Sequence, residues 1–172
     1  MGIRYYAYAF DADVTEQALA APQLVISADP LADAWGLPHG FRSGVADEQA
    51  VPQADMLYLD KAWSLLQAVT RPHWIDEPAR PAYRMFEGDV TFNPDGSHKA
   101  WLRAISPDEL IDIASDVASI NDDDVAAALR DPDELSGGAS ADIEYATEYL
   151  HSAQRFTSEL ARTGRGFVYT IR

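Results

Sequence analysis

The sequence contains no cysteine, which removes disulfide bonds, thiolate nucleophiles and cysteine-ligated metals from the candidate chemistry. It also contains no run of about 18 apolar residues, the length that a membrane-spanning helix needs. The first residues, MGIRYYAYAFDAD, lack the basic-then-apolar pattern of a signal peptide. We therefore expect a cytoplasmic protein that does not associate with membranes.

Basic residues are scarce and lysine is nearly absent. Thirteen Lys and Arg stand against 28 Asp and Glu, and the formal net charge is −15. Between residues 106 and 148, thirteen Asp and Glu accompany the single Arg130. A nucleic-acid-binding surface needs the opposite charge, so we expect no nucleic-acid binding. Acid on solvated helix faces favours solubility, and docking of a basic protein partner through residues 106–148 is the alternative interpretation.

Residue patterns predict strands and helices along the whole chain. Strands are expected at 3–10, 100–105 and 167–171, and helices at 14–21, from about 59 to Pro72, from Pro107 and over 142–162. Proline and glycine interrupt residues 22–55, which predicts a long loop-rich segment. We expect one α/β domain over 1–172, with α+β as the alternative, in which helices pack on a small mixed sheet.

The sharpest helix start is the sequence ISPDEL. Ser106 is expected as the N-cap, with Pro107 at the first helical position and Glu109 completing a capping box. Ile105 and Leu110 occupy the positions of a hydrophobic staple. Asn121 or Asp122 is expected to cap the next helix, and Gly164 to end the last one.

The stretch DMLYLDKAWSLLQAV groups an acid, a lysine and a tryptophan. The apolar spacing predicts a helix with one buried stripe, formed by Leu59, Ala62, Trp63, Leu66 and Val69. Asp60 then falls at the N-cap or in the first turn, and Trp63 in the core. The functional interpretation is a pocket in which Asp60 and Lys61 face segment 22–55, with His39 or His73 as a titrating group.

Searches for other catalytic or ligand motifs find nothing specific. The sequence has no G-x-S-x-G elbow and no H-E-x-x-H, and its four histidines are scattered. The run NDDD at 121–124 fits helix capping better than a calcium loop. The run SGGAS at 136–140 lacks the basic residue that phosphate binding favours. We therefore expect no metal and no cofactor.

Three stretches together resemble the YfbM-like family of uncharacterised bacterial proteins. They are YLDKAWSLLQAVT, RAISPDELIDIASDVASI and the C-terminal GRGFVYTI. The resemblance implies a compact α/β fold with a small sheet and helices on both faces, and it implies no activity. Family members often have a histidine directly after the tryptophan of LDKAW, where this chain has Ser64.

The sequence thus favours a small cytoplasmic binding or interaction protein without established catalytic activity. Two alternatives stay open: a hydrolase-type enzyme with a pocket around Asp60 and Lys61, and an acidic regulatory or neutralising protein that docks a basic partner through 106–148.

Overall fold

The computed structural model describes residues 2–40, 55–72, 74, 76–92, 94, 98–130 and 138–172. Two single 3-10 turns, at Ala12–Val14 and Pro22–Leu24, accompany the regular elements. In chain order these elements are β1 (Tyr5–Phe10), α1 (Thr15–Ala20), α2 (Pro30–Trp35), β2 (Met56–Asp60), α3 (Trp63–Thr70), α4 (Tyr83–Phe86), β3 (Thr91–Phe92), β4 (His98–Lys99), β5 (Trp101–Ile105), α5 (Pro107–Ser119), α6 (Asp122–Leu129), α7 (Gly138–Thr163) and β6 (Gly166–Ile171).

The central sheet has four strands in the order β2-β1-β6-β5, and every neighbouring pair is antiparallel. Strands β3 and β4 form a separate two-stranded hairpin. The α+β alternative is therefore confirmed, and the expectation of a mixed sheet is wrong. The physical reason is that pairing between strands far apart in the sequence sets their directions, and local residue patterns do not record that pairing.

Helices cover both faces of this sheet, as the resemblance implies. Along β1, Tyr5 and Ala7 belong to the main core, which is built with side chains from α3 to α7. The alternate residues Tyr6 and Tyr8 pack with Leu31 of α2 in a smaller cluster. This alternation is the two-residue period of a strand buried on both faces.

Three of the predicted helix ends form, at Ser106, Asn121 and Gly164. The Ser106 hydroxyl accepts a hydrogen bond from the Glu109 backbone N–H, and Ile105 and Leu110 are fully buried. The box is only half formed, because the Glu109 carboxylate pairs with arginines instead. Asn121 forms a complete box with Asp124, and Gly164 follows α7 with a φ of 67°.

The stretch DMLYLDKAW differs from its prediction. Met56–Asp60 is the strand β2, in which Leu57 and Leu59 are buried alternately, and the helix begins only at Trp63. Asp60 is therefore not the N-cap; Ala62 occupies that position without a side-chain cap. The apolar residues fit both periods, so the pattern alone does not distinguish strand from helix.

The segment at 22–55 contains α2 within its described part, and residues 41–54 lie outside the described residues. Through the portions of the chain that are described, no helix combines the length and apolarity needed to cross a bilayer.

Candidate functional site

Asp60 ends β2 and accepts hydrogen bonds from three parts of the chain. Its Oδ1 accepts from the Arg4 Nε–H at 2.7 Å and from the Tyr58 hydroxyl at 2.9 Å. Its Oδ2 accepts from the Tyr145 hydroxyl of α7 at 2.8 Å. Both carboxylate oxygens therefore have donors, and the aspartate joins residues just before β1, β2 and α7.

The backbone of Asp60 is unusual as well. Its φ is 46°, and no other non-glycine residue among those described has a positive φ. Aspartate tolerates this left-handed region better than most residues, although it still costs conformational energy. Such strain persists only where the surroundings hold it, and here three side-chain donors do so.

The electrostatics of this cluster favour an ionised aspartate. Burial alone raises the pKa of the Asp60 carboxyl, but hydrogen bonds from Tyr145, Tyr58 and Arg4 outweigh it and hold that pKa below its usual value. Burial and the bond to Asp60 raise the pKa of the Tyr58 and Tyr145 hydroxyls. Asp60 is thus a hydrogen-bond acceptor at neutral pH and a poor proton donor or base.

Lys61 and Trp63 follow Asp60 in the sequence, but their side chains have different surroundings. The Lys61 backbone N–H lies 3.4 Å from the Tyr145 hydroxyl, while its side chain is exposed and crosses Gly2. Trp63 starts α3 and is half-buried against the main core. Lys61 is therefore available to a ligand, whereas Trp63 packs as a core residue.

The histidines do not join this cluster in the described structure. His39 Nε2 lies 2.8 Å from Oδ1 of the fully buried Asp33, whose Oδ2 accepts from the Tyr8 hydroxyl. The Ser27 hydroxyl lies 3.4 Å from the same His39 nitrogen. A serine–histidine–acid relay uses both ring nitrogens, so this arrangement does not form one. His73 lies outside the described residues.

An open cleft lies beside the Asp60 cluster, with a volume of about 590 Å³. The lining residues come from the N-terminal segment, the start of α2, the β3–β4 hairpin and the end of the chain: Gly2, Ile3, Arg4, Tyr6, Ala28, Asp29, Pro30, Leu31, Phe92, His98 and Arg172. This volume falls within the usual range for small-molecule sites.

Cationic and apolar side chains dominate the cleft lining. Arg4, His98 and Arg172 supply donors, while Asp29 is the only acid among the lining residues. The Asp29 carboxylate is already occupied, because it accepts from the backbone N–H groups of Ala32 and Gly40. The lining thus carries the two charges of Arg4 and Arg172 against the one of Asp29, within a protein of net charge −15.

The sequence prediction missed Arg4, His98 and Arg172. No local motif marks them, and Arg4 and Arg172 stand at opposite ends of the sequence. The register of β1 against β6 brings those two together, and only the scarcity of basic residues offered a signal in advance.

In the parts of the chain that are described, no group of three or more His, Asp or Glu side chains is arranged to hold a metal ion. The chemistry that the cleft can supply is hydrogen bonding and charge, from guanidinium and imidazole groups.

These features define a class, an α+β protein with a four-stranded antiparallel sheet between two layers of helices and a cationic cleft at one end. Among solved structures, the chain is similar to the crystal structure of YfbM from Escherichia coli, described as a protein of unknown function. The identity is 21%, over 99% of this chain and 100% of that chain, and the TM-score is 0.49. This neighbour carries the name of the family that the sequence resembles, and its description names no activity. No protein-family model and no curated protein matches the chain.

Proposed function

We propose that this protein is a small ligand-binding protein that binds an organic anion in the cleft lined by Arg4, His98 and Arg172. The ligand carries a carboxylate or phosphate group on an apolar or aromatic body. A cytoplasmic location, which the sequence predicts, is part of the proposal, and fractionation of cells that express the tagged chain tests it.

The observation that carries the proposal is the pairing of Arg4 with Arg172. The Arg4 N–H donates to the Arg172 carbonyl at 2.8 Å, and the Arg172 N–H donates back at 2.9 Å. Residues that exchange both bonds stand directly opposite each other in an antiparallel pair, with their side chains on the same face. Like charges in that position repel, and a bound anion would relieve the repulsion.

Neighbouring groups compensate this pair only in part. Asp60 accepts from Arg4 Nε and the Gly2 carbonyl from Arg4 Nη1, which leaves further guanidinium N–H groups of the five that an arginine carries. The exposed Arg172 forms no ion pair with a described acid. Guanidinium groups bind carboxylate and phosphate in a two-pronged geometry, which favours those two ligand groups.

The rest of the cleft suits an apolar ligand body. Tyr6 and Leu31 are buried and form its floor, and Phe92 is 66% exposed at its side. An exposed aromatic ring next to cationic groups is a favourable surface for an aromatic or aliphatic anion.

The hydrogen bonds and the pKa of the candidate catalytic groups favour binding over hydrolysis as the function. Both oxygens of Asp60 have donors, and its pKa lies below the usual value. His39 has a separate set of partners in Asp33 and Ser27. The described residues thus offer no free base next to Lys61.

Isothermal titration with benzoate and with phenyl phosphate tests the proposal. We expect both anions to bind, and Arg172→Met to weaken both by roughly tenfold or more, because a charge-assisted hydrogen bond contributes about 1.5–3 kcal/mol. Benzyl alcohol, which has the ring without the charge, should not bind measurably.

Arg71→Met is the matched control, since Arg71 is exposed directly after α3 and does not line the cleft. The proposal is wrong if neither anion binds, or if Arg71→Met weakens binding as much as Arg172→Met does.

A further inference from the structure

The position of Lys61 indicates which anions the cleft prefers. An ideal Cβ atom built on Gly2 would lie 2.2 Å from Lys61 Cε and 3.0 Å from Nζ. A side chain on residue 2 would displace the end of the exposed lysine, so the glycine leaves room for it. Since Gly2 itself lines the cleft, the Lys61 ammonium group lies at the rim of the cleft.

The Asp60 cluster fixes the direction from which Lys61 approaches. The positive φ of Asp60 turns the chain between β2 and α3, and three side-chain donors hold that turn. The Tyr145 hydroxyl contacts both the Asp60 carboxylate and the Lys61 backbone N–H. The Asp60 turn thus sets where the Lys61 backbone leaves β2.

The ammonium group of Lys61 is uncompensated by its described surroundings. It forms no ion pair with a described acid, although acids outnumber Lys and Arg by 28 to 13 in the sequence. Its placement over a glycine that lines the cleft puts an ammonium group where a bound anion would meet it.

We infer that Lys61 is a specificity-determining residue of the cleft, which selects anions that carry a second negative charge. The arginine pair binds the first charge and Lys61 the second, so phosphate monoesters and dicarboxylates bind better than monocarboxylates. This inference rests on the proposed function, because it assumes that the cleft binds anions.

The test compares phenyl phosphate with benzoate at pH 8, where the phosphate group is a dianion because its second pKa is about 6. Lys61→Met keeps most of the aliphatic side chain and removes the charge. We expect it to weaken phenyl phosphate binding roughly fivefold, the upper range for an exposed charge pair, and to leave benzoate binding unchanged. Gly2→Ala should have the same selective effect, since the new methyl group displaces the lysine.

Lys99→Met is the matched control, because Lys99 is the other lysine of the chain, is exposed and does not line the cleft. It should change neither affinity. If Arg172→Met weakens both ligands while Lys61→Met weakens neither, the inference about Lys61 is overturned and anion binding stands. If Lys61→Met weakens both ligands equally, the selectivity for a second charge is overturned. If Arg172→Met weakens neither, the proposed function itself fails.

Discussion

Helices α3, α5, α6 and α7 bury the face of the sheet that carries Tyr5 and Ala7, whereas α1 and α2 pack on the face that carries Tyr6 and Tyr8. The first face holds one continuous core, and the second holds two small clusters and one wall of the cationic cleft. We therefore expect stability to depend mainly on the first face, and the proposed anion binding on the second. Because one face supplies most of the buried apolar area, the other can keep two arginines side by side.

The largest expected effect comes from truncating a leucine on the continuous core. Leu150 of α7 is fully buried, so Leu150→Ala should lower the free energy of unfolding by about 2–5 kcal/mol. In a chain of this size, each kcal/mol shifts the melting temperature by roughly 2–4 °C. Urea unfolding followed by circular dichroism measures the loss.

Leu31→Ala on the other face is the matched comparison. Leu31 is 8% exposed and borders the cleft, so water can fill the space that its side chain leaves. We expect a loss below about 2 kcal/mol. An equal loss at both positions would contradict the unequal division of the core.

Asp60 lies where the two faces meet, and its removal should have the next largest effect. Asp60→Ala removes the acceptor of three hydrogen bonds and keeps a side chain that disfavours positive φ. The expected loss of unfolding free energy is about 1–3 kcal/mol. Chemical denaturation of the purified variant measures it.

Asp60→Asn removes the charge of the side chain but keeps its shape, so it tests the two contributions separately. Asparagine keeps one oxygen acceptor and tolerates the left-handed region, so this variant should lose less stability than Asp60→Ala. If both variants melt at the same temperature as the wild type, the donors around Asp60 do not hold a strained conformation. That result would also contradict a role for Asp60 in positioning Lys61.

Local signals in the sequence predicted three helix ends correctly. Ser106, Asn121 and Gly164 each act within a few residues of their own position, and the structure places all three as caps or helix stops. Such signals depend on backbone groups that any helix end exposes, so they need no knowledge of the tertiary fold.

The candidate site was predicted only in part, for two physical reasons. The run MLYLD has apolar residues at spacings that suit both a strand and a helix, and only pairing with β1 decides between them. The arginine pair depends on the register of β1 against β6, which joins the two ends of the chain. Their clustering in the sequence singled out Asp60 and Lys61 as candidates, but it did not predict the strand or the positive φ at Asp60.

Acid titration can compare the Asp60 region with the α5 side of the molecule. Burial raises the pKa of Asp116, but hydrogen bonds from Arg80 and from the Ala82 backbone N–H outweigh it, so this pKa is lowered like that of Asp60. A lowered folded-state pKa contributes stability above the unfolded-state value of about 3.9 and loses it as the pH falls towards the folded-state value. The wild type should therefore lose stability below about pH 4.

Asp60→Asn and Asp116→Asn should each flatten this loss. The unfolding free energies at pH 6 and at pH 3 give the slope, and each variant should lose less between those values than the wild type does. An unchanged slope for one variant would show that the aspartate it replaces is not stabilised as a carboxylate. The two single variants thus rank the two regions by their sensitivity to acid.

The smallest expected effect lies inside the continuous core, at Tyr5. Its ring is fully buried and stacks on Tyr169 with centroids 5.0 Å apart, but its hydroxyl has no hydrogen-bond partner among the described residues. Burying an unpaired hydroxyl costs free energy, so Tyr5→Phe should leave the unfolding free energy unchanged or raise it by up to about 1 kcal/mol. Tyr169→Phe is the control, because the Tyr169 hydroxyl donates to the Glu87 carbonyl at 2.7 Å, and its loss should cost about 1 kcal/mol. A loss of stability in Tyr5→Phe as large as in Tyr169→Phe would mean that the Tyr5 hydroxyl is hydrogen-bonded, and that the continuous core has a polar contact of its own.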